Sequence, residues 1–232
     1  MTAEITVLSA GAVQPGLVKV IDAFRSETGN EVKVTFATAP TIRKRLSSGE
    51  IADVLIAPPE LLDELEKAAS SKTAGNVVGR IGVGVAVRDG APIPKLATVD
   101  EFKQSLLSAE SIVYNQASTG IYLESLFERL GISARLKAKT TRYADFAAVR
   151  DHVIKGTVNE IGLGATTVII ESASKGLKFV GPLPAEIQNY TTYAATITAD
   201  SPARDAAVAL LQYLSSPKAK KIFASVGIMP PP

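Results

Sequence analysis

Along the 232 residues, short apolar runs alternate with stretches whose apolar positions recur every three or four residues. Ile5-Thr-Val-Leu-Ser9 is a β-rich run ending in small residues. From Pro15 to Thr28, Leu17, Val20, Ile21 and Phe24 recur at helical steps, and Gly29-Asn30 stops the helix. Val32 to Phe36 predicts a second strand. Pro40 stands where a first helical residue would, with Ile42 and Leu46 four apart on one face. Val54-Leu-Ile-Ala57 is a fully apolar strand, followed by Pro58-Pro59 and a helix to Ala69. This β-α-β-α-β-α order predicts a parallel sheet covered by helices on both faces.

Val77 to Val87 predicts a long strand loosened by Gly79, Gly82 and Gly84. It serves equally well as a hinge crossing between lobes or as a buried strand with close backbone neighbours. A second α/β series follows: a helix at Asp100–Leu107, a strand at Ser111–Tyr114, and helices at about Thr119–Leu130 and Tyr143–Lys155. The strand Glu160–Leu163, the apolar run Thr167–Glu171 and the β-rich stretch Tyr190–Thr198 come next, before helices at Pro202–Leu214 and Pro217–Ser225. Pro230-Pro231-Pro232 reads as a loose end. Two β-rich crossings flanking an α/β insertion predict two lobes, residues 1–82 plus 194–232 and residues 83–193.

Composition narrows the chemistry. The chain has no cysteine and one histidine, His152, which excludes disulfides, thiol catalysis, Cys-ligated zinc and His-rich metal sites. A formal charge of +2, without a dense basic stripe, predicts no nucleic-acid partner. No apolar run approaches the ~20 residues of a membrane span, so no membrane insertion is expected. The opening Met1-Thr-Ala-Glu4 shows no export signal. The expected location is the periplasm if a signal was removed, and the cytoplasm otherwise. No cofactor-binding motif or catalytic triad is visible, and a monomer is expected.

Several segments resemble the molybdate-type solute-binding proteins of ABC transporters. They are Ile5-Thr-Val-Leu-Ser-Ala-Gly-Ala12, Phe36-Ala-Thr-Ala-Pro-Thr-Ile42, Ala52-Asp-Val-Leu-Ile-Ala57, Ala117-Ser-Thr-Gly-Ile-Tyr122 and the closing Leu211 to Ile228. The resemblance runs nearly end to end. It implies an α/β, two-lobed type II periplasmic-binding-protein fold, each lobe a mostly parallel sheet flanked by helices, joined by two crossing strands. It also implies a small anion held in an interlobe cleft by loop and helix starts, closure on binding, and an ABC permease as partner if the protein is exported. Where such proteins carry two serines and a tyrosine as ligand donors, this chain has Ala12, Ala39 and roughly Ala165. Each lost donor to a charged ligand costs about 1.5–3 kcal/mol, which argues against molybdate. Ser9, Thr38 and Thr41 are replacement hydroxyls from shifted positions.

Helix starts at Gly11–Val13, Ala39–Thr41 and Thr119–Ile121 would aim backbone N–H groups at a ligand. The competing reading is that Ser9, Thr38 and Ser118 cap their own helices. Arg43, one residue past Ile42, could lean toward the helix start and clamp a carboxylate, or belong to a solvated basic face with Lys44. Tyr122 could present its phenol to a ligand or pack with its hydroxyl at the core's edge. The candidate ligand-binding set is Ser9, Gly11, Ala12, Thr38, Ala39, Thr41, Arg43, Ser118, Thr119, Gly120, Ile121, Tyr122 and Thr166, with Thr167 beside it. His152 falls beside the stripe Phe146, Val149 and Val153, and is expected on the surface.

The leading function is solute binding without chemistry. The alternative is an isomerase of a small polycarboxylate, since aconitate-type isomerisation is known among proteins resembling this family. An effector-sensing domain also fits the fold, but no helix-turn-helix segment accompanies it. Calorimetric titration with molybdate should show weak binding or none; submicromolar affinity would mean that backbone amides suffice without the lost hydroxyls.

Overall fold

The computed structural model describes residues 4–69 and 76–231. Met1–Ala3 and Pro232, part of the expected loose end, lie outside them. The chain divides into two compact units, Met1–Ile81 with Thr192–Pro232, and Gly82–Thr191.

The first unit opens with β1 (Glu4–Ala10), a 3-10 turn (Gly11–Val13), α1 (Gln14–Thr28), β2 (Glu31–Ala37), α2 (Ala39–Ser47), β3 (Val54–Ala57) and α3 (Pro59–Ala69). β1 pairs in parallel with β2 on one side and β3 on the other. β3 pairs antiparallel with the end of β9 (Tyr190–Ile197), from Val54 against Ile197 to Ala57 against Ala194. α9 (Arg204–Leu214) and α10 (Pro217–Ser225) complete the unit. The apolar stripe read on α1 is its buried face: Leu17, Val20, Ile21 and Phe24 are all shielded, and Phe24 meets Tyr213 of α9 edge to face at 5.3 Å. Gly29, at φ 72°, ends α1 in the left-handed conformation that costs glycine least.

One buried carboxylate ties this unit together. Asp53, 2% exposed, accepts from Thr6 N–H at 2.8 Å and Thr6 Oγ1 at 2.7 Å through one oxygen. Its other oxygen accepts from Ser201 Oγ at 2.6 Å and Ala203 N–H at 3.3 Å. Burial pushes this carboxyl's pKa up, but the Ser201 hydroxyl and the Thr6 and Ala203 donors outweigh it, and the net shift is downward.

The second unit contains β4 (Asn76–Arg88) from Gly82 onward, α4 (Val99–Ser108), β5 (Ser111–Asn115), α5 (Ser118–Arg129), α6 (Ser133–Lys137) and β6 (Thr140–Tyr143). α7 (Phe146–Lys155), β7 (Glu160–Ala165), α8 (Thr166–Glu171), β8 (Leu177–Pro182) and a 3-10 turn (Ala185–Ile187) follow. β4 runs antiparallel to β7 and β8, while β5 runs parallel to β6 and β7. Val83, Val85 and Val87 of β4 join one apolar cluster with Phe102, Leu123 and Leu126; Ala86 joins another with Val149, Val153 and Ile169. That alternation is the two-residue period of a sheet buried on both faces.

Several expectations change here. The expected helix from Tyr143 starts only at Phe146, because residues 140–143 form the partly buried strand β6 beside β5. The apolar run 167–171 belongs to the short helix α8, and neither α6 nor β8 was foreseen. His152 is not a surface histidine. Its Nδ1 lies 2.8 Å from the Tyr143 hydroxyl, its Nε2 lies 3.5 Å from Glu160 Oε1, and its side chain is 23% exposed. The end of β6 and the start of β7 converge on that flank of α7, which helical periodicity cannot reveal.

Replacing Asp53 with Asn leaves buried donors facing an amide that can accept only through one oxygen, and should cost about 2–4 kcal/mol in urea unfolding at neutral pH. Because the folded pKa is depressed, the ionised carboxylate's stabilisation is complete above its unfolded pKa of about 4. It is lost as pH falls further, through the folded value. The stability gap between wild type and Asp53→Asn should therefore shrink below about pH 4; a pH-independent gap would contradict this assignment.

Candidate functional site

In the first unit, β1, β2 and β3 are parallel, so their carboxyl ends lie on one edge, and each runs into a helical start at Gly11, Ala39 or Pro59. Open α/β sheets bind ligands at such edges. Thr38 is the extended N-cap of α2, yet its side chain makes no capping bond; its Oγ1 lies 3.0 Å from Thr41 Oγ1. The first intrahelical bond runs from Ile42 N–H to Thr38 C=O at 2.8 Å. The N–H groups of Ala39 and Thr41 precede it, and Pro40 has none. Ser9 is fully buried and its hydroxyl donates to Ala10 C=O at 3.2 Å, so it caps nothing. Gly11 and Ala12 are partly exposed in a 3-10 turn that lacks a side-chain cap.

Arg43 does not stand free. Its guanidinium grips Glu64 of α3 as a fork, with Nε at 3.0 Å from Oε1 and Nη2 at 2.8 Å from Oε2. That hydrogen-bonded pairing raises the arginine's pKa and lowers the glutamate's. Both side chains are about half exposed, at 50% and 52%, so the pair adds little stability. Lys44 is exposed as expected, and Arg45 pairs with Glu50.

In the second unit, β5, β6 and β7 are parallel, and their carboxyl ends lead into α5, α7 and α8. α5 follows the N-cap Ala117, with no side-chain cap. Ser118 is its first residue, and its first intrahelical bond is Ile121 N–H to Ala117 C=O at 3.0 Å. The N–H groups of Ser118, Thr119 and Gly120 precede that bond. Thr119 is 7% exposed and Ile121 is 60% exposed. Tyr122 adopts the packing alternative: its ring joins the core and its hydroxyl donates to Ile187 C=O at 2.6 Å. Arg129 lies over the same ring at 5.5 Å. Thr166 is partly buried at the start of the six-residue α8, and Thr167 is 1% exposed.

Other helices show what a satisfied start looks like. Thr98 caps α4 by accepting from Glu101 N–H at 3.1 Å, Asp145 caps α7 through Ala148 N–H at 2.9 Å, and Ser216 caps α10 through Ala219 N–H at 3.1 Å. α2, α5, the short α8 and the 3-10 turn at Gly11 lack such a bond while standing at strand ends, as α6 and α9 lack it elsewhere. The capping roles open for Ser9, Thr38 and Ser118 are not the ones adopted. Sequence reasoning missed Glu64 and the Ile187 carbonyl, which lie 21 and 65 residues from their partners and leave no local signal. Among the described residues no acidic and histidine group could hold a metal ion, and no helix is long and apolar enough to cross a membrane.

Gly120 fixes how closely α5 approaches β5. A Cβ there would stand 1.7 Å from Asn115 O and 3.2 Å from the Tyr114 ring, whereas one at Gly11 would meet nothing within 4 Å. Gly120→Ala should destabilise the protein by about 1–3 kcal/mol or more, and Gly11→Ala should be neutral or slightly stabilising. Urea unfolding of both variants checks the contrast; equal effects would contradict the tight contact.

Comparison with known proteins places this architecture. A family profile described as bacterial extracellular solute-binding protein matches residues 5–228. An aconitate isomerase from a Pseudomonas species is 33% identical, covering 98% of this chain and 88% of its own. The molybdate-binding protein of Escherichia coli is 27% identical, covering 97% and 88%. Among solved structures, the periplasmic molybdate-binding protein of Azotobacter vinelandii superposes with a TM-score of 0.79 at 18% identity, covering 98% of this chain and all of that one. The sulfate-binding protein of Mycobacterium tuberculosis gives 0.76 at 20%, covering 99% and 87%. The mixed α/β fold, with sheets flanked by helices, is that of periplasmic binding proteins. With the family profile spanning nearly every element described above, the chain belongs to the bacterial extracellular solute-binding proteins.

Proposed function

We propose that the chain binds a small solute bearing more than one carboxylate, and that the first-turn N–H groups of α2 at Thr38–Thr41 and of α5 at Ser118–Ile121 are the anion donors of their respective units. The observation that carries this reading is the pair of uncapped helix starts at strand carboxyl ends. Their free N–H groups and positive dipole ends favour an anion. Alanines at 12, 39 and 165 offer no side-chain donors, which suits a carbon skeleton better than a compact tetrahedral ion. The Arg43 fork serves such a guest only by releasing Glu64, and on this reading it stays with Glu64. The relatives' class supports export and delivery of the solute to an ABC permease.

A second reading has its own support. Identity to the aconitate isomerase is 33%, against 27% for the Escherichia coli molybdate-binding protein, over nearly the whole chain in both cases. An isomerase moves a proton off one carbon and onto another through a base, while the negative charge rests on a neighbouring carboxylate held by donors. Uncapped helix starts supply such donors in either reading.

A thermal-shift and calorimetry panel of cis-aconitate, citrate, succinate, sulfate and molybdate identifies the guest, since ligand at 100 times Kd adds about 2.7 kcal/mol of stability. Proline in place of Ala39 or Ser118 deletes one N–H at a position where helices accept proline. Each replacement should weaken the best carboxylate by roughly 10- to 150-fold, the worth of one charged hydrogen bond, with little change in Tm. Arg43→Ala should change affinity less than about twofold, like the control Lys44→Ala, as expected of an exposed pair. A panel with no carboxylate binder, or full affinity in both proline variants, overturns the proposal. Proton NMR of cis-aconitate then separates the two readings: conversion to the trans isomer in proportion to protein establishes the isomerase, and bound but unchanged aconitate establishes binding alone.

A further inference from the structure

One side chain in the second unit does the work of a strand. The β8 ladder on β4 ends where Gly84 faces Pro182, and the chain then turns away through Pro184 and the 3-10 turn. Val83 keeps β7 on its other side, opposite Ala165. On the side that β8 leaves, Leu183 N–H still donates to Val83 C=O at 3.2 Å, and the Gln188 amide supplies the remaining bonds. Its Oε1 accepts from Val83 N–H at 2.9 Å and its Nε2 donates to Val83 C=O at 2.9 Å, as a neighbouring backbone would. The same Oε1 also accepts from Asn189 N–H at 2.9 Å. A Cβ at Gly82 would stand 3.4 Å from this amide and 3.1 Å from the Tyr190 ring, so the amide is packed as well as bonded.

The residue before Gln188 carries the link onward. Ile187 C=O accepts the Tyr122 hydroxyl at 2.6 Å, and Tyr122 belongs to the first turns of α5. Both Ile187 and Tyr122 pack against the same apolar cluster. A continuous path therefore runs from β4 at Val83, through the Gln188 amide and the Ile187 carbonyl, to the phenol of α5. We propose that Gln188 is a positioning residue for the anion-binding start of α5: it holds Ile187 so that Tyr122 fixes the orientation of the Ser118, Thr119 and Gly120 N–H groups. This rests on the reading of α5 as a ligand-binding helix start. Val83 and Gln188 also stand within a few residues of the two points, Ile81–Gly82 and Thr191–Thr192, where the chain leaves the unit.

Backbone-resolved NMR of the free protein tests the path without any ligand. In Gln188→Ala, Val83 N–H loses its acceptor and should exchange about tenfold faster or more, as local opening requires. The amide resonances of Ser118, Thr119 and Gly120 should move as well. In Tyr122→Phe the same three resonances should move while Val83 keeps its protection. The double variant should displace them no further than the larger single change, because both residues act along one path. Ala148, under its Asp145 cap, serves as the unmoved reference. A general loss of stability would shift all four resonances together, so that pattern, or unmoved Ser118–Gly120 resonances in Gln188→Ala, overturns the proposal. With cis-aconitate as the probe, both variants should bind about tenfold more weakly than wild type, a coupling of ordinary size. Wild type that fails to bind cis-aconitate counts against the polycarboxylate reading, while the amide resonances still decide the role of Gln188.

Discussion

The first unit hangs on a carboxylate that water barely reaches. Asp53 stands just before β3 and draws donors from the start of β1, 47 residues away, and from the segment entering α9, up to 150 residues away. Taking a charge out of water is costly unless hydrogen bonds replace the lost solvent. Here four donors replace it, and each fixes a piece of backbone that apolar packing alone would leave free to slide. The main chain reinforces the arrangement: Asp53 N–H donates to Thr6 C=O at 2.9 Å, and Thr198 N–H to Asp53 C=O at 3.0 Å. Strand register follows from these bonds. Because side chains alternate along a strand, a slip of one residue would turn Ile5 and Val7 away from the core.

The register in turn places the helix starts. β1, β2 and β3 end on one edge because they are parallel and aligned, and α2 begins where that edge ends. α5 reaches the equivalent edge of the second unit's sheet only because residue 120 lacks a Cβ. Local sequence then leaves those two starts unfinished. A hydroxyl or carboxylate at the N-cap would quench the first-turn N–H groups, as Thr98, Asp145 and Ser216 do elsewhere; Ala117 cannot, and Thr38 turns to Thr41 instead. At these two positions the first-turn donors have no side-chain cap.

Much of this was legible in the sequence, and the exceptions share a cause. Periodicity placed α1 and an unbroken apolar run placed β3, and the apolar residues of both are buried as read. The strand at Thr140–Tyr143 escaped because all four residues are only partly buried and polar in pattern, so it reads as the front of a helix. The partners of Arg43, Tyr122 and His152 escaped for another reason. Each residue's neighbours along the chain suggest a surface, a ligand or solvent, while its actual partner (Glu64, Ile187 or Tyr143) lies on a different element. Long polar side chains choose among several partners within reach, and one-dimensional spacing does not rank them. The apolar skeleton was readable because burial repeats along an element; the polar contacts depend on which elements meet.

The Arg43–Glu64 fork has a kinetic consequence. With its positive charge cancelled by a hydrogen-bonded carboxylate, Arg43 adds little long-range pull at the start of α2 beyond the partial charges of its peptide groups. Such dipoles act within a few ångströms and exert no pull across a Debye length, which is about 8 Å at physiological salt. Capture at this end would proceed at the ordinary diffusional pace and hardly slow as salt is added, unlike the steered association that an open cationic funnel produces. On the proposed reading, a helix start so balanced would select its guest by fit and hydrogen bonding after arrival rather than by attraction from afar.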